Sequence, residues 1–351
     1  MSTRTGISPS KSDKYDDRPL ISDLLTEHAS AIKTVREIIQ DDESGKRLLQ
    51  KSGNSERYDD IWILRYILSH KGNRTSAAKA ALKTMQFRDE RKLNELGDIR
   101  HRIQNKGDPE DAKRFSNNNM NTSENMSMKS KMPMPMPIER LPGNELFESC
   151  CGQNALSYTQ PDDQRGTFVF VDCGKIDMDR IPQIMTKETM LEFYIYKNEA
   201  AFQVLDAVTR STGRLTKEAR IVDMGDVKLR NMNRVYLKQD AACNKEVEDY
   251  FPQLLGTMFV ANSPSWLASI WSLLRPLFPK RFVAKVDFLP PTSKINKLEE
   301  SRSNMHRDSN RNSILRPVLR YISEEDLPER YGGKNQQWPL PCVGSKYSAP
   351  Q

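Results

Sequence analysis

The sequence predicts an α/β domain with a mixed, largely parallel sheet, preceded by a bundle of helices. Three observations carry that reading. Before residue 100 the apolar patterns have helical spacing. From residue 167 onward, short apolar runs alternate with long stretches of helical period, as strands joined by crossover helices do. Residues 250–289 then give a buried strand, an unusually apolar amphipathic helix and a second strand carrying a lysine.

Residues 1–17 form a Ser-, Lys- and Asp-rich arm, expected to be disordered. Over 19–40, Leu20, Leu24, Leu25, Ile32, Val35 and Ile39 recur at helical spacing. A second helix is expected over 58–70, with Asp59 placed to cap it and Gly72-Asn73 just beyond its end. A third, over 75–96, turns Ala78, Ala81, Leu82, Met85, Phe87 and Leu93 inward. These helices make a bundle over 18–104. Between 105 and 147 the chain changes character: SNNNMNTSENMSMKSKMPMPMPIERLPG is biased to Asn, Ser and Met, and its alternating prolines block regular structure. This is a linker or insertion, for no helical period organises its methionines.

Within 148–334 the expected order is a strand over 168–171, a helix over 187–210, a strand over 220–224, a helix over 231–250 and a strand over 255–261. Pro252 and the Asn262-Ser263-Pro264 turn bound that last strand. After it, Trp266, Leu267, Ile270, Trp271, Leu274, Leu277 and Phe278 recur every three or four residues, with Ser265, Ser269, Ser272 and Arg275 opposite. Pro276 and Pro279 end the helix. Over 282–289, Lys285 and Asp287 alternate with Val286 and Phe288 as in a strand. Residues 290–312 are a charged tract expected to be a disordered insertion. Folded sequence resumes at 314–322 and closes at Asp326-Leu327-Pro328-Glu329-Arg330-Tyr331-Gly332-Gly333, leaving 335–351 as a tail.

Composition narrows the function classes. A chain of 351 residues holds one large domain, or one with a smaller helical partner. The five cysteines are odd in number, and none sits in a C-x-x-C pair, which favours a reduced intracellular protein. The N-terminus lacks the apolar core of a signal peptide. The longest apolar stretch contains Arg275 and Pro276 and falls short of the roughly 20 residues that cross a bilayer. A cytoplasmic protein that touches membranes peripherally is therefore expected. Its net charge of +7 suits an anionic surface. No nucleophile elbow, phosphate loop, H-E-x-x-H or dinucleotide fingerprint occurs. With four histidines, two of them (His101 and His306) in polar segments, a triad or metal site has little material. The expectation is a protein that is not an enzyme and needs no metal or cofactor.

Three stretches together resemble the CRAL-TRIO lipid-binding family, which includes carriers of phosphatidylinositol and phosphatidylcholine, α-tocopherol and retinaldehyde. Ile63-Leu64-Arg65-Tyr66-Ile67-Leu68, followed by an Ala-rich helix and Phe87-Arg88, is similar to the family's L-L-R-F-L-R-A-R segment and later W-R. Tyr250-Phe251-Pro252-Gln253 through Asn262-Ser263-Pro264, Trp271, Pro276 and Lys285-Val286 resembles its Y-P-E-R, N-x-P and gate helix. The closing Leu327-Pro328-Glu329-Arg330-Tyr331-Gly332-Gly333 resembles its L-P-x-x-Y-G-G. The likeness covers roughly residues 55–100 and 160–334, in the family's order.

That resemblance implies a sheet flooring an apolar pocket that a mobile helix closes over one lipid. The gate helix is then 266–278, with Arg275, Lys280 and Arg281 as membrane contacts. Phe168, Phe170, Ile221, Phe259 and Val286 are candidate pocket residues, with ordinary core as the alternative for each. For the headgroup the resemblance points to His70, Lys71, Gln253 and Lys285. Here the chain departs from phosphatidylinositol-binding members: an imidazole replaces a permanent cation at 70, and Gln253 replaces a glutamate. Glu218 and Arg220 stand where phosphatidylcholine-binding members carry hydroxyls. The expected function is an intracellular lipid-transfer protein. It takes one phospholipid, such as phosphatidylinositol, or an isoprenoid-type lipid, and exchanges it at anionic membranes as a monomer, without nucleic acid. The alternative is a lipid-sensing regulatory module in phosphoinositide signalling or vesicle trafficking.

Overall fold

The computed structural model describes residues 18–95, 143–151, 155–159, 168–277, 280–290 and 317–336. The expected arm at 1–17 lies outside them, as do almost all of the insertions at 105–147 and 290–312, and of the tail.

The bundle opens with α1 (Ile21–Glu27) and α2 (Ala29–Asp41), where one helix was expected. His28 leaves helical geometry at φ −102° and ψ 11° and separates the two. Next come α3 (Glu43–Leu49) and α4 (Asn54–Arg57), both too short for apolar spacing to announce. In α5 (Asp60–Ser69) the Asp59 carboxylate accepts from the Trp62 amide at 3.0 Å, as its sequence position suggested. Asn73 caps α6 (Arg74–Glu90). That helix stops short of residue 96, because Lys92 takes a left-handed φ of 52° before a 3-10 turn at Leu93–Glu95.

Past a short α7 (Asn144–Ser149), the α/β part comprises β1 (Leu156–Thr159), β2 (Phe168–Asp172), α8 (Ile181–Ile184), α9 (Lys187–Thr212), β3 (Glu218–Asp223), α10 (Arg234–Glu248), β4 (Leu255–Ala261), α11 (Ser265–Leu274), α12 (Lys280–Val283) and β5 (Val286–Phe288). Gly213, at φ 66°, ends α9 as a left-handed cap. The expected strand over 282–289 is corrected. Phe282 and Val283 are helical, and helical bonds from the amides of Ala284 to Lys280 O (3.1 Å) and of Lys285 to Phe282 O (2.9 Å) persist until the Lys285 carbonyl takes the Met258 amide at 2.8 Å. Lys285 thus stands in the turn before β5. Helix α11 likewise gives way at Arg275, the residue before Pro276, to a 3-10 turn over Arg275–Leu277.

The strands lie in sequence order, β1 antiparallel to β2 and the remaining pairs parallel, so the sheet is mixed and largely parallel. Phe170 aligns with Ile221 and Ile221 with Phe259, while Val171 aligns with Val222 and Val222 with Val260. Alternate residues therefore form two continuous faces.

One apolar cluster runs from the bundle into α9 and α10. Charged pairs reinforce the junction: Arg88 grips Glu199 with two bonds at 2.5 and 2.7 Å, and Arg210 reaches Asp59 at 2.6 Å. The closing motif has a comparable role at the C-terminal ends of the strands. Arg330 pairs with Asp223 and lies 3.5 Å from Asp172, and Asn262 Nδ2 donates to both oxygens of Asp223 at 3.1 Å. Its two glycines answer different demands. Gly332 has φ 88°, and a Cβ on Gly333 would sit 1.8 Å from Leu327 O.

Candidate functional site

The two faces of the sheet are covered unequally. On one, Phe168, Phe170, Ile221 and Phe259 are at most 1% exposed, sealed beneath Leu289, Val318, Ile322, Leu327 and Tyr331. The Phe170 and Tyr331 rings stack at 5.7 Å. The packing gives these four expected pocket residues the core reading. On the other face Val171, Arg220, Val222, Met258 and Val286 are all only half-buried, although α11 lies over part of it. Of the five expected pocket residues, Val286 alone is on this second face.

Helix α11 is placed by a few apolar contacts. Leu267 is buried in a cluster with Met224, Val227 and Val260, against which Trp266, Val222 and Val286 pack half-buried. Ile270 is half-buried, and the Trp271 ring meets Phe288 edge-on at 5.7 Å. Leu274 ends the helix and Leu277 the 3-10 turn, while Phe278 falls outside the described residues. Arg275 and Lys280 are exposed beside this element, and Arg281 belongs to α12. Among the described residues, no helix is long and apolar enough to cross a membrane.

A polar cluster gathers at the N-terminal ends of the parallel strands. Gln253, held at a left-handed φ of 61°, donates from Nε2 to Ser69 Oγ at 3.1 Å. That bond joins the turn before β4 to the last turn of α5, next to His70. The His70 Nδ1 lies 2.9 Å from Tyr66 O, and since a carbonyl only accepts, Nδ1 donates there. Lys71 is exposed at φ 51°. Lys285 comes to this end of the sheet beside Lys217, whose amine is pushed down to about 8 by burial and then by the charges of Lys285 and Arg65. Arg65 itself is fully buried. It donates from Nη2 to Thr209 at 3.1 Å, and its Nε and Nη1 have no hydrogen-bond partner among the described residues. Lys217 thus joins Lys285, the one cation of the pair that the sequence singled out, and Arg65, whose Nη2 lies 3.6 Å from Asp206, adds its charge from the interior. Lys217 and Ser69 were not legible as site residues, because parallel pairing and the packing of α5 bring them there.

The CRAL/TRIO domain profile matches residues 153–333, just over half of the chain. Among curated proteins, the chain is similar to the Sec14 cytosolic factor of Schizosaccharomyces pombe, at 23% identity over 299 residues that take in 84% of this chain and 81% of that protein. It is also similar to the phosphatidylinositol/phosphatidylcholine transfer protein SFH12 of Arabidopsis thaliana, at 22% identity over 174 residues, 49% of this chain and 28% of that protein. The solved structure of Sfh5 superposes with a TM-score of 0.46 at 12% identity, covering 79% of this chain and 82% of that one. The chain belongs to the CRAL/TRIO domain family.

Proposed function

We propose that this protein is a lipid carrier of the cytoplasm, which takes one amphiphile from a membrane onto the half-covered face of its sheet and releases it at another. The observation that carries this is the inequality of the two faces. A strip of Val171, Val222, Met258 and Val286, of which Val222 and Val286 pack in one cluster with α11, keeps solvent access, while the opposite face is sealed by the chain's own C-terminal segment. Removing such apolar surface from water contributes about 25 cal/mol per Å², which a lipid tail supplies where the described residues leave it half-buried. No bond is made or broken. The printed names of its relatives, a cytosolic factor and a phosphatidylinositol/phosphatidylcholine transfer protein, support the same reading. Native mass spectrometry of the purified protein, followed by solvent extraction, tests it. One co-purifying lipid per chain is the expected result, and a lipid-free protein that binds no apolar dye would overturn the reading.

Lys285, Lys217 and Gln253 are the proposed headgroup contacts, with His70 beside them and Lys71 at the rim. Lys285→Ala is expected to lower phosphatidylinositol transfer about tenfold without unfolding, since it removes one charge-assisted contact from a half-buried turn. Parental transfer by the folded variant would refute the assignment. The depressed Lys217 amine adds a pH signature. Bound phosphate favours the charged amine and raises its pKa from about 8, so binding takes up a proton above that value. Affinity for phosphatidylinositol should therefore be flat below pH 8 and fall above it. Lys217→Arg should flatten the profile.

A further inference from the structure

A second group of charges lies between α9, α10 and β3, on the half-covered face of the sheet. Tyr194 and Lys197, three apart, share one side of α9, and the Lys197 Nζ lies 5.8 Å from the centre of the Tyr194 ring. Tyr236 and Asp240, four apart on α10, come to the same place, where the Tyr194 hydroxyl donates to Asp240 Oδ1 at 2.5 Å. From β3, Arg220 donates to Glu218 Oε1 through Nε at 2.9 Å and again through Nη2. Both carboxylates are therefore already engaged, Glu218 by Arg220 and Asp240 by Tyr194.

Lys197 is the member left over. Among the described residues no carboxylate lies within ion-pair distance of it, and the charges that act on it are, in order of size, Arg220, which opposes its own, and then Glu218 and Asp240, which favour it. Burial first, and then Arg220, push its amine down to about 8. A half-buried ammonium that faces a second cation, with no carboxylate at ion-pair distance among the described residues, is stabilised by an anion that bridges the two. Access is preserved, for Lys197, Arg220 and Asp240 are only half-buried while their neighbours Glu218, Tyr194 and Tyr236 are buried. Arg220 also aligns with Met258, and Met258 with Val286, so the charges adjoin the half-covered apolar strip.

We propose that Lys197, with Arg220 beside it, seats the anionic head of an amphiphile, a carboxylate or a phosphate monoester, whose chain lies along Met258 and Val286. This rests on the reading of that face as the lipid-holding one. A choline head is disfavoured, because its quaternary ammonium would meet Lys197 and Arg220 while both acidic groups are occupied.

Displacement of Nile red from the full chain by four twelve-carbon probes, each below its micellar concentration, tests the idea. Laurate carries a carboxylate, dodecyl phosphate a phosphate monoester, dodecylphosphocholine a zwitterion, and dodecanol no charge. At least one of the two anions should displace the dye at about tenfold lower concentration than dodecanol or dodecylphosphocholine, as one charge-assisted hydrogen bond provides; the better anion identifies the class. Lys197→Met, which keeps the length and removes the charge, should bring both anions within about twofold of dodecanol, and Lys197→Arg should preserve the preference. If Nile red binds and neither anion outcompetes dodecanol, the proposal is wrong, whatever becomes of the variants. A preference that survives in a folded Lys197→Met protein refutes it equally. Failure of Nile red to bind at all removes the lipid-holding face, and this proposal with it.

Discussion

Glu199→Ala should destabilise the protein by about 3–5 kcal/mol, the range for breaking a buried ion pair from one side. Glu199 is 1% exposed and Arg88 4%, and the carboxylate meets the guanidinium through both oxygens. Gln203 Nε2 donates to the same carboxylate at 2.8 Å, and Arg88 Nε donates to Asn94 at 3.0 Å. The substitution leaves a guanidinium inside the protein with one of its two partners missing, and water cannot reach it without opening the junction between α6 and α9. The cost should therefore appear in equilibrium denaturation as a large fall in midpoint. Replacing the pair together, Arg88→Met with Glu199→Leu, should recover much of the loss, because no charge then remains to be solvated. A single-variant loss under about 1 kcal/mol would mean that the junction already admits water.

Much of this architecture was legible because it is written in local pattern. Strand β4 was found with its observed ends, since Pro252 and the Asn262-Ser263-Pro264 turn bracket a single apolar run. Asp59 was recognisable as a cap because capping needs only a carboxylate next to the first turn. The orientation of the sheet was not legible. Both faces of a central parallel sheet are covered, so runs such as FVFVD are apolar at successive positions and alternation does not say which face is sealed. What seals Phe168, Phe170, Ile221 and Phe259 is Leu289 together with residues 318–331, and the distance along the chain to the latter hides the contact. The ion pairs escaped for the same reason, since Arg88 and Glu199 are 111 residues apart. Lys197 carries no signal of its own in the sequence, because nothing in its segment shows Arg220 approaching from β3. The last strand was overextended because Phe282 and Val283 have a strand's composition and are nevertheless held in a helical turn.

Trp271→Asp should cut vesicle-to-vesicle lipid transfer at least about tenfold while leaving the protein folded. Helix α11 has two kinds of apolar residue. Leu267, 5% exposed and packed on Val260, belongs to the fixed interior, so an aspartate there should unfold the element. Trp271 is half-buried and meets the exposed Phe288 on β5, a three-residue edge strand. That edge-to-face contact is worth about 0.5–1.5 kcal/mol, too little for its loss to unfold the domain. An indole with an apolar ring and a polar N–H is suited to the interfacial layer of a bilayer. Exposed Arg275 follows it by four residues and exposed Lys280 opens α12, and each contributes on the order of 1 kcal/mol near an anionic surface. An aspartate among them reverses that attraction at the point where α11 must leave the sheet for a lipid to pass. The accompanying measurement is tryptophan emission on adding anionic vesicles to versions that keep only Trp266 or only Trp271. A blue shift is expected from Trp271 and a smaller one from Trp266, which packs against the buried cluster of Val260 and Leu267. Unchanged emission from both, together with normal transfer by a folded Trp271→Asp protein, would make α11 plain core and leave lipid exchange without a gate.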